Sequence, residues 1–212
     1  MKMNKQESAI KYYDKFSIVY DLISSKRYYH KPRKYAIEQL GLQKHQTVLN
    51  LPCGTGQNFF YFQEHLHQTG QILGIDLSDG MLQKAKQKVE KHNWQNIKTI
   101  KGDATEINPT WIKEHLGDVK IDAVLCDLGL SGFPKWEQVI DNLVDILAPN
   151  GKIVIMDWYM EKTSFRGEFI KWIGKGEVNR PIWQYLQTKV DFFEVKTFKR
   201  GDVFVAIGQK YP

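Results

Sequence analysis

The chain has 212 residues, of which 42% are hydrophobic and 25% are charged. This length and apolar content suit one domain with helices on both sides of a sheet, and no stretch approaches the ~20 consecutive apolar residues of a membrane-spanning helix. We therefore expect a single domain over residues 1–212, with a helical lid segment at 1–44 and a sheet core at 45–212.

The net charge of +6 comes from the amino-terminal segment, because residues 1–34 hold nine Lys and Arg against three acids. Apolar and aromatic side chains recur there at helical spacing from Ala9 to Ile23. Such a basic amphipathic helix either packs on the domain or contacts an anionic ligand or membrane surface. The first residues lack the apolar run of a secretory signal, so we expect a cytoplasmic chain, able to associate peripherally with the inner membrane surface.

Helices and strands are predicted to alternate along most of the chain. Residues 31–41 read as a helix with proline in its first turn and glycine just past its end. Buried strands are predicted from Thr47 and at 71–76, 96–100, 121–126 and 152–156, with helices at 58–67, 78–89 and 136–147 and a turn at 149–151. This alternation indicates a parallel sheet with crossover helices.

The tail departs from that alternation. Residues 168–187 are predicted to be mostly helical, with a break near Gly174–Gly176, and strands at 192–199 and 203–210 flank a tight turn at 200–202. Two strands joined so tightly must be antiparallel. We therefore predict an α/β fold: a three-layer, doubly wound, mostly parallel seven-stranded sheet with a C-terminal antiparallel hairpin.

The turn after the first strand is a candidate ligand site. Gly54 and Gly56 allow backbone conformations closed to other residues and a close ligand approach, and the next helix offers unpaired N–H groups to an anion. A dinucleotide fingerprint needs three glycines. Pro52 stands at the first of those positions and Phe59 at the third, so that fingerprint fails. Alone, the turn fits a plain strand-to-helix connection equally well.

Acids follow the next two strands. Asp76 ends the second strand and Asp103 follows the third. The carboxyl ends of parallel strands open onto one crevice, where Asp76 can accept hydrogen bonds from both hydroxyls of a ribose and Asp103 from the amine of an adenine. The residues therefore predict a nucleoside site rather than a dinucleotide site.

Four segments, in order, resemble the motifs of class I S-adenosylmethionine-dependent methyltransferases: 48–56, 74–82, 102–104 and 147–152. The resemblance covers about residues 10–210 and implies a Rossmann-like methyltransferase fold with S-adenosylmethionine as cofactor. The implied cofactor contacts are Gly54, Thr55 and Gly56 at the methionine end, Asp76 and Leu77 at the ribose, Asp103 and Ala104 at the adenine, and Asp127 beside the sulfonium. Asn50 is also assigned to this site, although the family usually has an acid there. An amide keeps an acceptor but loses the charge.

Residues 12–21 resemble the N-terminal helix of quinone-biosynthesis C-methyltransferases and bacterial phospholipid N-methyltransferases, which act on lipid-like acceptors. By that resemblance the helix covers the cofactor and helps to shape the acceptor site. We predict a small-molecule or lipid-like acceptor, either a phospholipid amine or a quinone-type ring, in a pocket lined by Tyr13, Tyr20, Asp157, Trp158 and Tyr159. A neutral amine acceptor needs no charged catalytic residue, whereas an oxygen or carbon nucleophile needs a general base, so no catalytic residue is assigned.

Two other functions remain open. The isoelectric point near 9.1 and the similarity of residues 127–131 to a turn of an rRNA cytosine N-methyltransferase family suggest an RNA methyltransferase. The Asn/Asp-Pro-Pro-Tyr turn of many base methyltransferases is absent, however. Asn50 alone suggests a non-catalytic protein that binds S-adenosylmethionine. No metal site is predicted, because His65 and His67 lie two apart on a predicted helix and do not face each other.

Overall fold

The computed structural model describes residues 26–160 and 176–212. Tyr13, Tyr20, the basic amphipathic segment around them and residues 168–175 lie outside the described residues. Within 176–187, where the sequence predicts helix, only Ile182–Gln187 is helical, so the prediction is wrong for 177–181.

Seven strands and six α-helices form in these residues. The strands are β1 (Thr47–Asn50), β2 (Gln71–Asp76), β3 (Ile97–Lys101), β4 (Ile121–Asp127), β5 (Leu147–Trp158), β6 (Phe192–Phe198) and β7 (Val203–Gln209). The helices are α1 (Lys26–Leu40), α2 (Phe59–Leu66), α3 (Asp79–Lys91), α4 (Pro109–Leu116), α5 (Trp136–Asp145) and α6 (Ile182–Gln187).

All seven strands belong to one sheet in the order β3-β2-β1-β4-β5-β7-β6. Strands β1 to β5 pair in parallel, and β7 pairs antiparallel with both β5 and β6. The predicted mixed sheet with its C-terminal hairpin is therefore confirmed. The strand order reverses between β1 and β4, and open parallel sheets bind ligands at such a switch point, outside the carboxyl ends of the strands.

Helices cover both faces of the sheet, which confirms the three-layer prediction. On one face, buried side chains of α1, α2 and α3, among them Ile37, Phe59 and Leu82, pack on the strands. On the other face, Trp111 of α4 and Val139 of α5 belong to a second buried cluster. The central strand β4 is buried along nearly its whole length, as expected for a parallel strand covered on both sides.

Helix α1 begins earlier than predicted. The sequence places proline in the first turn, whereas the helix starts at Lys26 and Pro32 lies inside it. An internal proline lacks the N–H for one hydrogen bond and costs about 3 kcal/mol. Burial of Ala36, Ile37 and Leu40 against the sheet offsets that cost. The predicted end is confirmed, because Gly41 has a φ of +62° and its N–H bonds to Glu38 O at 3.1 Å.

Two other elements differ from the sequence reading. Helix α4 was not predicted, although Asn108 and Pro109 are typical of a helix start: the Asn108 side chain accepts a hydrogen bond from Trp111 N at 2.9 Å, and Pro109 needs no partner in the first turn. The turn predicted at 149–151 lies inside β5, where a register shift against β4 takes up the extra residues.

The described residues were searched for membrane-spanning helices, metal-binding groups and reactive cysteines. Within residues 26–160 and 176–212, no helix is long and apolar enough to cross a membrane. The same residues contain no group of three or more His, Cys, Asp or Glu side chains arranged to hold a metal ion. Cys53 and Cys126 are buried free thiols, and burial raises the pKa of both well above the usual value.

Candidate cofactor and acceptor site

The glycine turn after β1 has the backbone geometry that the sequence predicts. Gly54 has a φ of +53° and Gly56 a φ of +74°. The ring of Phe59 fills the space under the turn, since a Cβ added at Gly56 would lie 2.6 Å from Phe59 Cε2 and one at Gly74 would lie 2.8 Å from Phe59 Cζ. Phe59 therefore packs the turn tightly onto β2 from the position where a dinucleotide fingerprint has its third glycine.

This packing predicts a large effect of Gly56→Ala. Gly41 is a matched control, because its φ of +62° is similar and a Cβ there meets only Lys152 Nζ, at the ordinary contact distance of 3.4 Å. A positive φ costs a non-glycine residue about 1–2 kcal/mol, and overpacking adds about 1–3 kcal/mol. In urea denaturation, Gly56→Ala should therefore lose about 1–3 kcal/mol more unfolding free energy than Gly41→Ala. Equal losses would show that Phe59 moves aside freely.

Asp76 links the glycine turn to the start of α3. Its Oδ2 accepts a hydrogen bond from Gly54 N at 2.8 Å, and its Oδ1 accepts one from Ser78 N at 3.0 Å. Ser78 is also the predicted cap of α3, with its Oγ 3.2 Å from Met81 N. Asp76 thus fixes the turn after β1 relative to the start of α3.

Other contacts hold the turn and the end of β3. Lys88 of α3 donates to Thr55 O at 2.8 Å, so a helix two elements away fastens the turn. Asp103 is half-buried, and its Oδ1 accepts from both the N–H and the hydroxyl of Thr105 at 2.9 Å. Ala104 is buried and Leu77 is half-buried beside Asp76. The predicted ribose and adenine residues therefore follow neighbouring strand ends.

Asn50 is fully buried at the end of β1, and its contacts explain why an amide suits this position. Its Nδ2 faces two carbonyl oxygens, those of Leu125 at 3.3 Å and Pro52 at 3.4 Å, and its Oδ1 accepts from Asn58 Nδ2 at 3.2 Å. An aspartate here would place an anionic oxygen against two carbonyl oxygens. The Oδ1 of Asn58 is buried and has no hydrogen-bond partner among the described residues.

Asp127 pairs with a residue that the sequence reading did not single out. Arg33 of α1 donates from Nε to Asp127 Oδ2 at 2.7 Å and from Nη1 to Gln57 Oε1 at 2.9 Å. The Arg33 and Asp127 side chains are 4% and 6% exposed. The second oxygen of Asp127, Oδ1, is buried without a hydrogen-bond partner in residues 26–160 and 176–212.

An aromatic pair lies close to this ion pair. Trp158 Nε1 donates to Tyr29 Oη at 3.1 Å, and the ring centroids are 6.4 Å apart. Burial raises the pKa of Tyr29 to about 12, and the charges of Asp127 and Arg33 act on it in opposite directions. The Tyr29 hydroxyl therefore stays protonated at neutral pH. Trp158, a predicted acceptor residue, thus lies beside an aromatic side chain of α1.

Asp157 and Tyr159 have different surroundings. Both Asp157 oxygens accept backbone hydrogen bonds, from Ser131 N at 3.0 Å and Trp158 N at 2.8 Å. Tyr159 packs with Trp183 in the core of the opposite sheet face, away from Trp158. Their assignment to the acceptor pocket stays a prediction, and the described contacts are those of a loop anchor and a core residue.

The burial of Asp157 predicts a pH effect on stability. Burial raises the pKa of its carboxyl from 3.8 to about 6. The folded chain thus holds this proton more tightly than the unfolded chain, so the stabilisation is full below about pH 4 and is lost as the pH rises through about 6, a change of about 3 kcal/mol. The unfolding free energy of the wild type, measured relative to Asp157→Asn, should fall over that range.

Asp118→Asn provides the control for this titration, because the Asp118 side chain is 90% exposed in its contact with Lys113. The difference in unfolding free energy between the wild type and Asp118→Asn should not fall in the same way as the pH rises. A constant difference between the wild type and Asp157→Asn from pH 4 to 7 would contradict the raised pKa.

Sequence reasoning did not assign five residues whose side chains contact the site: Tyr29, Arg33, Gln57, Asn58 and Lys88. Arg33 had one usable signal. It lies four residues before Ile37 and seven before Leu40, so it falls on the buried stripe of its own helix. A cation on an apolar stripe is rarely fully buried unless it is paired. Counting Arg33 within the basic amino-terminal segment hid that signal.

The arrangement fits S-adenosylmethionine. The glycine turn allows close approach, acids follow β2 and β3, and a buried oxygen of Asp127 has no donor among the described residues. This sheet order with these strand-end residues defines a class I S-adenosylmethionine-dependent methyltransferase fold. The cofactor of this class is S-adenosylmethionine.

Sequence comparison gives the family. A family model described as a methyltransferase domain matches residues 42–189, and the chain belongs to that family. It is 28% identical over 160 residues to the demethylmenaquinone methyltransferase of Listeria welshimeri, an alignment that covers 74% of this chain and 65% of the relative. The chain therefore spans slightly less than two thirds of the length of that relative.

Solved structures agree on the fold. The phosphoethanolamine N-methyltransferase 2 of Haemonchus contortus, in complex with phosphomonomethylethanolamine and S-adenosylhomocysteine, matches with a TM-score of 0.77 at 14% identity, over 100% of this chain and 61% of that one. An S-adenosylmethionine-dependent methyltransferase from Aquifex aeolicus matches with a TM-score of 0.65 at 18% identity, over 98% and 99% of the two chains.

Proposed function

We propose that this chain transfers a methyl group from S-adenosylmethionine to a small, lipid-like acceptor with a quinone-type ring. The structural observation that carries the acceptor class is the Tyr29–Trp158 pair, whose tyrosine lies close enough to Asp127 and Arg33 for their charges to act on it. Flat aromatic faces suit a planar ring through offset or edge-to-face contacts. The similarity to a demethylmenaquinone methyltransferase supports the same class.

Methyl transfer of this kind needs no covalent bond between the protein and the acceptor. The cofactor, when bound, supplies a methyl group already activated on a sulfonium. For a carbon acceptor, the new carbon–carbon bond would replace the carbon–sulfur bond, the bonding electrons would stay on sulfur, and the ring proton would pass to a general base. The protein's share is to hold the two reacting carbons in line and to exclude water.

Helix α1 is suited to excluding water from the reaction. Its residues Tyr29, His30 and Arg33 reach Trp158, Tyr61 and Asp127 in turn, so one helix is fastened to β5, α2 and β4. In this proposal those contacts hold α1 across the carboxyl ends of the strands, at the switch point between β1 and β4. There α1 shields the reaction from water.

The test is methyl transfer from labelled S-adenosylmethionine to three acceptors offered separately: a demethylated naphthoquinol, phosphatidylethanolamine vesicles and ribosomal RNA. We expect label in the quinol. Label in the phospholipid amine or the RNA, with none in the quinol, overturns the quinone assignment. Tight cofactor binding with no transfer to any of them favours the non-catalytic interpretation. Co-sedimentation with anionic vesicles separately tests the membrane contact predicted from residues 1–34.

A further inference from the structure

The Arg33–Asp127 pair is a charged group that the fold has buried beside the cofactor turn. The Nε to Oδ2 distance is 2.7 Å, and both side chains are more than nine-tenths buried. Replacing a buried ion pair by apolar residues is often neutral or stabilising, so such a pair is weak evidence for a purely stabilising role. A role in binding explains better why two charges are held here.

The pair is incomplete on its acidic side. Asp127 Oδ1 is buried, and the described residues offer it no hydrogen-bond donor. A buried acceptor without a donor is unfavourable until one arrives. The site therefore has capacity for one additional N–H donor, and a cationic donor would match the charge of the carboxylate.

Two other acids at the strand ends already accept donors on both oxygens. Asp76 and Asp157 each receive backbone N–H groups on both carboxylate oxygens. Asn50, at the end of β1, carries no charge. Its register partner on β4 is Leu125, and Asp127 lies two residues beyond on the same strand. The negative charge absent from β1 is thus present on the adjacent strand.

The basic side of the pair reaches the cofactor turn. Arg33 Nη1 donates to Gln57 Oε1 at 2.9 Å, and Gln57 directly follows Gly56. A guanidinium is planar, stays charged at any physiological pH and binds carboxylates through paired N–H groups. Arg33 and Asp127 together therefore present opposite charges next to the turn that the class uses for the methionine end of its cofactor.

We propose that Arg33 and Asp127 form a charge-selective site for the zwitterionic amino-acid end of the cofactor. Arg33 binds the cofactor carboxylate, and Asp127 Oδ1 accepts a hydrogen bond from the cofactor ammonium. Each ligand charge then meets an opposite charge, and Asp127 takes over the role left by the neutral Asn50. This inference rests on the proposed use of S-adenosylmethionine, because it names residues of that same site.

Calorimetry with two ligands tests the proposal. S-adenosylhomocysteine carries the amino-acid end, whereas 5′-methylthioadenosine keeps the nucleoside and lacks that end. Arg33→Gln and Asp127→Asn should each weaken S-adenosylhomocysteine binding by about tenfold or more and leave 5′-methylthioadenosine binding nearly unchanged. Lys34→Gln, an exposed neighbour paired only loosely with Glu38, is the control and should change neither.

The double variant Arg33→Gln/Asp127→Asn leaves no uncompensated buried charge and should show the same ligand selectivity, so it stands in for a single variant that fails to fold. Equal losses for both ligands overturn the proposal, because the pair would then shape the whole turn. Unchanged S-adenosylhomocysteine binding with an altered KM for the acceptor also overturns it, by assigning the pair to the acceptor. If the wild-type chain binds neither ligand, the proposed function fails as well.

Discussion

Replacing Arg33 by Gln is expected to lower the free energy of unfolding by about 3–5 kcal/mol, the usual cost of removing one partner from a buried ion pair. The reason is geometric. The Asp127 carboxylate is 6% exposed and accepts Arg33 Nε at 2.7 Å, and its other oxygen already lacks a donor in the described residues. Without the arginine, a buried anion would remain with neither a charge partner nor enough hydrogen bonds.

The double variant Arg33→Gln/Asp127→Asn should recover most of that loss. It removes both charges together, so only hydrogen bonds of about 1 kcal/mol each are exchanged. Urea denaturation of the wild type, both single variants and the double variant forms a cycle whose coupling energy should exceed about 2 kcal/mol.

The exposed pair of Lys34 and Glu38 on the same helix, with side chains 57% and 47% exposed, is the control. Its disruption should cost less than about 1 kcal/mol. If Arg33→Gln costs no more than Lys34→Gln, then Asp127 finds another partner or solvent, and the ion pair does not fasten α1 to β4.

Asp76→Asn is expected to reduce the affinity for S-adenosylhomocysteine by about 100-fold, which corresponds to about 2.7 kcal/mol. Both oxygens of Asp76 accept backbone N–H groups, from Gly54 at 2.8 Å and Ser78 at 3.0 Å. An asparagine must turn its own NH2 toward one of those donors, so the turn or the start of α3 loses its anchor. The predicted ribose contacts lose the negative charge at the same time.

Asp79→Asn is the matched control for this measurement. Asp79 is three residues further on, exposed, and paired with Lys101 at 2.6 Å on the surface. Titration calorimetry should find its affinity for S-adenosylhomocysteine close to that of the wild type, and thermal melts of both variants should confirm that they are folded. An Asp76→Asn chain that binds within about threefold of the wild type would remove Asp76 from the ribose site.

The strands of the sheet could be predicted from local sequence patterns, because each strand has its own pattern of apolar residues. The central strands are buried on both sides and therefore read as short apolar runs, and glycines or acids follow them where the chain turns. The terminal hairpin was predictable because a tight connection permits only antiparallel pairing. The acids Asp76 and Asp103 could be assigned to one crevice because parallel strands all end at the same edge of the sheet.

Local patterns were less reliable where packing outweighs propensity. Proline at position 32 indicates a helix start, yet α1 continues through it because Ile37 and Leu40 are buried against the sheet. Helix α4 is short, with eight residues and two buried side chains, so its periodicity was too weak to recognise without the Asn108 cap. Both misses concern where elements begin, which depends on contacts outside the element.

The sequence by itself determined the class: a glycine turn, two strand-end acids and the alternation of elements are local features, and they indicated a nucleoside cofactor before any contact was known. Only the tertiary structure decided how the site is charged. Arg33 and Asp127 are 94 residues apart, and Asn50 contacts the carbonyl of a residue 75 positions away. Because burial and pairing set the behaviour of a charged group more than its residue type does, the neutral Asn50 and the buried Arg33 could be understood only once the fold had brought their partners together.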